Sequence, residues 1–289
     1  MGVMSQGQAG ETNRRLGYPA DARLLIINAD DFGMCHAISA GVQRTLTAGI
    51  AQSTTLMMPC HWALQAMAWL REHSAIPVGV HLTVLSDAYN YRWGPLRPRD
   101  QVPSLVNDAG VFYDFEHMPQ LLAQANQAEL EWEFRAQIEA VLAAGLTPTH
   151  LDWHSLRLQG RNRIFDLMLR LAREYGLALR VRGQAWIDYV QGLGLPAADY
   201  DFLDSSMVPT PDKPARYAQL LHELPAGLSE WAVHPGVEND ELRAIEPTSN
   251  GFRQADLDFP TSPEAPEIIA REGIILLSYA PLQAVWRAA

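Results

Sequence analysis

From Arg23 onward, short apolar runs alternate with longer stretches in which apolar residues recur at helical spacing. "RLLIINA" (23–29), "STTLMMP" (53–59), "PVGVHLTVL" (77–85), "TPTHLDWH" (147–154), "LALRVRG" (177–183), "SEWAVHPG" (229–236) and "GIILLSY" (273–279) have the length and β-branched content of strands. Between them, 36–49, 61–73, 127–145, 163–176 and 262–273 read as helices. The clearest is 127–145, with Leu130, Phe134, Ile138, Val141 and Leu142 on one stripe and Gly145 as its stop.

Strand–helix alternation of this kind predicts parallel βαβ units. About seven strands suffice for a single irregular (β/α) TIM-like barrel, closed or nearly so, with long loops at its C-terminal face. The chain is thus expected to be one α/β domain over 23–289, preceded by a loose tail, 1–22, rich in Gly, Gln, Asn and Ser. Two segments fit no element, Ser86–Met118 and Gln184–Pro214, and loops this long in a compact domain are usually binding elements. The last stretch, "YAPLQAVWRAA", is read as a final helix packing on the barrel or as a contact in a homo-oligomer.

Composition narrows the partners. The chain has 289 residues, 48% hydrophobic and 19% charged, with a formal net charge of -11, which argues against a nucleic-acid partner. No apolar run approaches the length of a membrane span. Two cysteines, Cys35 and Cys60, give neither a disulfide framework nor a metal spacing and suit the cytoplasm.

Candidate chemistry lies where polar residues interrupt the strands. "LLIINADDFG" (24–33) ends a run fit for complete burial on two adjacent carboxylates, Asp30 and Asp31, which repel each other unless a cation or proton lies between them. His81 in "GVHLT", His150, Asp152 and His154 on one face of "THLDWH", Arg180 and Arg182 on one face of "LRVRG", and His234 before Pro235 all sit late in their strands. In parallel α/β folds that end is the functional face. Each residue alone has a plainer role: Asp30 or Asp31 could cap the helix beginning near His36, a strand His is usually a hydrogen-bonded core residue, and Cys35 reads as packing. Their coincidence on five strands favours a metal site of one carboxylate and two imidazoles. If the backbone stays extended, the adjacent Asp side chains diverge, so that one ligates and the other serves as base or orienter. His150 and Asp152 are expected to orient the ligand imidazoles.

"NADDFG", "STTLMM", "VGVHLT", "PTHLDWH" and "VHPG" resemble, in order and over roughly 24–279, the YdjC-like carbohydrate deacetylases, a group that includes chitooligosaccharide deacetylases. The resemblance implies a metal-dependent barrel hydrolase that removes the N-acetyl group from an amino sugar or oligosaccharide. The residues matching its motifs make Asp31, His81 and His154 the ligands of a divalent cation (magnesium or zinc, with manganese or cobalt as substitutes), Asp30 the general base and His234 the general acid. Arg182 is expected to hold Asp30 ionised, and a backbone N–H near His36 to stabilise the oxyanion. Better-known members continue the fourth-strand motif with further histidines, whereas this chain reads "HSLRL" (154–158).

Two other readings compete. A glycoside hydrolase would pair one of the Asp residues with Asp188, Asp204 or Glu238 at about 5 to 9.5 Å. A barrel without turnover would bind sugar through the loop aromatics Tyr89, Tyr91 and Trp93.

Overall fold

The computed structural model describes residues 10–158, 162–248 and 251–289. Its strands are β1 (Arg23–Phe32), β2 (Ser53–Leu56), β3 (Val78–Leu82), β4 (His150–Trp153), β5 (Ala178–Leu179), β6 (Leu203–Asp204), β7 (Gly227–Val233) and β8 (Ile275–Leu277). They form one parallel sheet in the order β5-β4-β3-β2-β1-β7-β6, a half-barrel whose end strands β5 and β6 do not pair. β8 shares an edge of β1 with β2. Leu24–Ile26 pair with Ile275–Leu277, and Asn28 to Phe32 pair with Ser53 to Leu56. This insertion makes the barrel irregular.

The helices are α1 (Glu11–Arg15), α2 (His36–Ala48), α3 (Ala63–Glu72), α4 (Met118–Gln124), α5 (Gln127–Ala143), α6 (Arg163–Tyr175), α7 (Gln184–Gly192), α8 (Lys213–His222), α9 (Asp240–Ile245), α10 (Phe252–Asp258), α11 (Glu264–Arg271) and α12 (Ala280–Ala288). Helix α5 begins where the Asn126 carboxamide accepts N–H bonds from Ala128 and Glu129, and it buries Leu130, Phe134, Ile138 and Val141 against the sheet. Leu142, expected on that stripe, is 42 % exposed. Two polar residues within the stripe have a specific use. Gln137 bonds both the N–H and the carbonyl of Thr83 (2.9 and 2.7 Å), which pins the exit of β3, and Glu133 accepts the N–H groups of Leu96 and Arg97.

Two expectations are corrected, and one of two alternatives is found. Of the stretch 1–22 read as a loose tail, residues 1–9 lie outside the described residues. The remainder is docked: Thr12 donates to the Ala197 carbonyl (2.8 Å), and Asn13 donates to those of Pro19 and Ala22. The segment 184–214, left without elements, contains α7, β6 and the first residues of α8, because its Gly and Pro residues separate short elements. The C-terminal stretch is a packed helix, with Gln283 bonded to the Pro148 and Gly176 carbonyls and Trp286 to that of Pro196. No helix of the described residues is long and apolar enough to cross a membrane.

Candidate metal centre

The end of β1 departs from a regular strand. Between Ala29 and Phe32 it carries one residue more than β2 opposite, and Asp31 takes a left-handed backbone with φ 67°. A bulge of this kind re-aims side chains, and a non-glycine residue held there stores roughly 1–3 kcal/mol of strain. Its effect answers the question posed by two adjacent carboxylates. They do not diverge, as an extended chain would require; Asp30 and Asp31 line the same cleft. Neither caps α2, whose first N–H groups are taken by Glu241 (2.7 Å from Ala37 N), so that helix end is not available to an oxyanion either.

Asp31 Oδ1 lies 3.4 Å from His81 Nε2 and 3.1 Å from His154 Nδ1, and these three buried residues form a group able to hold a metal ion. The other nitrogen of each ring is engaged by a carboxylate: His81 Nδ1 by Asp152 Oδ1 at 2.7 Å, and His154 Nε2 by Asp87 Oδ1 at 2.8 Å. His81 and Asp152 are register partners on β3 and β4, so their bond is a cross-strand pair. Carboxylates on the outer nitrogens leave the inner nitrogens as donors aimed at Asp31, the arrangement by which proteins orient metal-bound imidazoles. The donor set therefore fits a divalent cation. Electrostatics agree. Burial disfavours a charged imidazole, yet Asp152 and Asp31 raise His81 to about 9, and Asp87 and Asp31 raise His154 to about 10. The pocket stabilises positive charge at this point.

Asp30 is held differently. Its carboxylate receives both Nη atoms of Arg180 (2.7 and 2.9 Å) and the Asn28 amide (2.7 Å). Burial opposes its ionisation, but the Arg180 charge and hydrogen bonds hold it well below the usual carboxylate range. This corrects the assignment of Arg182. Both arginines sit on one face, as the alternation predicts, but Arg180 directly follows the two-residue β5 and reaches inward. Arg182, two residues farther out, lines the cleft with its guanidinium 5.0 Å from the Phe202 ring centre. Arg180 also bonds Glu230 through Nε (2.6 Å), and its Nη1 lies 2.7 Å from Asp152 Oδ2 without hydrogen-bond alignment. Tyr279 donates to the other oxygen of Glu230 (2.5 Å).

His150 shares the face of Asp152 but touches neither ligand imidazole. It is stacked on Tyr279 (ring centres 3.7 Å apart), and burial lowers its pKa to about 3. It packs so tightly on Gly79 that a Cβ there would lie 2.5 Å from the ring. Cys35 is buried, which pushes its thiol up to about 11 and leaves it inert.

His234 follows β7, with Nε2 3.9 Å from Asp30 Oδ2 and Nδ1 2.8 Å from Ser205 Oγ. Several residues here gave no sequence signal. Asp87 arrives from the unassigned 86–118 segment and is anchored by Ser155 (2.6 Å), the residue directly after His154. Arg253 of α10 bonds Asp31 Oδ2 (2.8 Å) and is itself gripped by both oxygens of Glu246. Asn28 was visible within "NADDFG", and its i, i+2 spacing to Asp30 is the one available hint of its role.

The cleft has a volume of about 690 Å³, and Tyr89, Phe115, Trp153, Phe202 and Phe252 line it beside the charged residues. Of the aromatics read as sugar-stacking, Tyr89 is 70 % exposed, whereas Trp93 is buried with Nε1 bonded to Leu85 and Tyr91 bonds the Met34 carbonyl. Of the partners considered for a glycosidase pair, Asp204 lines the cleft. Asp188 bonds Gln184 on α7 and Glu238 pairs with Arg243, both away from it.

The fold is thus a parallel α/β half-barrel that gathers, at its C-terminal strand ends, a buried carboxylate–imidazole group able to hold a metal ion. The YdjC-like protein family model matches residues 24–271, and the chain belongs to that family. A carbohydrate deacetylase of Enterococcus faecalis is 30% identical over 272 residues, 89% of this chain and 97% of its own. One from Thermoanaerobacter pseudethanolicus is 27% identical, over 90% of this chain and 100% of its own. A chitooligosaccharide deacetylase of Yersinia enterocolitica is 32% identical over 55% of this chain and 59% of its own. The crystal structure of an Enterococcus faecalis protein provisionally assigned to cellobiose-phosphate cleavage superposes with a TM-score of 0.76 at 28% identity, covering 90% of this chain and 99% of that one.

Proposed function

We propose that this protein is a metal-dependent hydrolase that removes the N-acetyl group from an acetylated amino sugar or oligosaccharide. One observation carries the reading: Asp30 and Asp31 face one cleft, each held ionised by a buried guanidinium, but Asp31 turns its free oxygen to two oriented imidazoles whereas Asp30 faces His234. Asp31, His81 and His154 would hold the ion, with magnesium or zinc as the favoured candidates and manganese or cobalt as substitutes. When bound, a divalent ion supplies Lewis acidity toward water and the acetyl carbonyl.

The chain's own residues supply the rest. Asp30, kept ionised by Arg180, accepts a proton from the attacking water. Its proton affinity is low, so the proton must be passed on rather than stored. His234 Nε2 faces Asp30 across the cleft and delivers a proton to the departing amine, which would otherwise leave as an anion. Arg182 and the aromatics that line the cleft would contact the sugar. The glycosidase reading has Asp204 in the cleft but gives the two oriented imidazoles no purpose. Two unpaired buried cysteines support a cytoplasmic site of action.

The test is acetate release from a panel of N-acetylated mono- and oligosaccharides, before and after chelation, with single metals restored. Release that is lost on chelation and regained with one ion supports the proposal. Shortened sugars without acetate would establish the glycosidase instead, and tight sugar binding without any product would establish the binding protein.

A further inference from the structure

Behind His234 lies a buried group that the proposed mechanism does not use. Asp256 Oδ1 receives Lys213 Nζ and the Tyr217 hydroxyl, both at 2.5 Å. Asp256 Oδ2 receives the backbone N–H of His234 (2.9 Å) and the Ser205 hydroxyl. Lys213, Asp256 and Ser205 are wholly buried. A carboxylate paired with an ammonium only accepts, so the single hydroxyl proton of Ser205 points at Asp256. The serine oxygen is then an acceptor toward His234 Nδ1, 2.8 Å away, and that nitrogen carries the hydrogen.

We propose that Ser205, held by Asp256, is a positioning residue that fixes His234 as its Nδ1–H tautomer and leaves Nε2 as the ring atom that exchanges a proton in the cleft. The proposal rests on the reading of His234 as the acid. The serine also keeps the carboxylate at a distance, with Asp256 Oδ2 3.9 Å from Nδ1, whereas Asp152 touches His81 Nδ1 at 2.7 Å. Direct carboxylate contact suits a ring that must stay fixed beside a cation. A hydroxyl spacer, with Lys213 neutralising the carboxylate behind it, suits a ring that must gain and lose charge.

The test uses the full chain labelled with ¹⁵N-histidine, the His234 signals being identified by their loss in His234→Gln. Wild type is expected to show a protonated Nδ1 and an unprotonated Nε2 in the neutral ring. Ser205→Ala should give mixed tautomers and lower kcat on the order of 10–100-fold with KM nearly unchanged, and Ser205→Thr should restore both. A wild-type Nε2–H tautomer, or a Ser205→Ala protein with unaltered tautomer and kcat, would overturn the proposal. Full turnover in His234→Gln would defeat the reading of His234 as acid while leaving the tautomer assignment standing, so the two failures are separable.

Discussion

On one side of the cleft, Asp30, His81 and Arg180 line the wall with Asp152 and Glu230 buried behind them, and all five project from strands or from the residue directly after one. On the other, Asp87, Glu246 and Arg253 line the wall from connections and a short helix outside the sheet, with Asp256 of the same helix and Ser205, in the single turn that follows β6, behind them. The strand wall has its backbone locked by parallel ladders, and its side chains are tied to one another: Arg180 alone contacts Asp30, Asp152 and Glu230. The other wall reaches the same chemistry through single contacts at the outer atoms, Asp87 on His154, Arg253 on Asp31 and Ser205 on His234. The strand wall therefore carries both the reacting groups and part of the stability, whereas the loop wall orients and tunes.

The largest effects should fall on the strand wall. Asp31→Asn is expected to abolish stoichiometric metal binding, measured by elemental analysis of dialysed protein, and to cut acetate release on the order of 10³-fold. Asp30→Asn should retain metal while kcat falls on the order of 10²–10⁴-fold. If Asp30→Asn lost the metal and Asp31→Asn kept it, the two carboxylates would have to exchange roles.

Arg180→Met tests whether this wall is also structural. Removing one guanidinium leaves Asp30, Asp152 and Glu230 buried with uncompensated charge, at a cost of about 3–5 kcal/mol in urea denaturation. Arg182→Ala, at the rim, should stay within about 0.5 kcal/mol and act on KM instead. Equal losses of stability from the two would break the distinction drawn between them.

On the loop wall the effects should be graded. Asp87→Asn is expected to weaken metal affinity about 10–100-fold by calorimetry, with the fold intact. A complete loss of metal would make Asp87 part of the binding set itself and move this wall into the primary chemistry. Smallest, and a control outside both walls, is Asn126→Ala, which removes the cap of α5. It should cost about 1 kcal/mol without changing metal affinity.

The pattern of legibility follows the same division. His81, His154 and His234 were readable because a polar residue late in an apolar strand is conspicuous, and strand alternation alone places His150, Asp152 and His154 on one face. The same alternation could not separate His150 from Asp152. One stacks on Tyr279 and the other bonds His81, a difference decided by neighbours on β3 and near the C-terminus. Alternation also misled at Asp31, since a left-handed residue in a bulge breaks the period on which the argument rests. Nothing near Asp87, Ser205, Arg253 or Asp256 in the chain marks them, because the site residues they hold, His154, His234, Asp31 and again His234, lie 22 to 222 residues away.

By itself, the sequence determined the parallel α/β order, the end of the sheet where the chemistry gathers, and the residue types that gather there. Those follow from periodicities of 2.0 and 3.6 and from the cost of burying charge, which act over a few residues at a time. Only the tertiary structure decided which of two arginines reaches Asp30, that both adjacent carboxylates enter one cleft, and that a serine and a buried Lys–Asp pair stand behind His234. These depend on how deep each strand ends and on contacts between distant segments, and such distances are set only when the strands and the connections around them assemble.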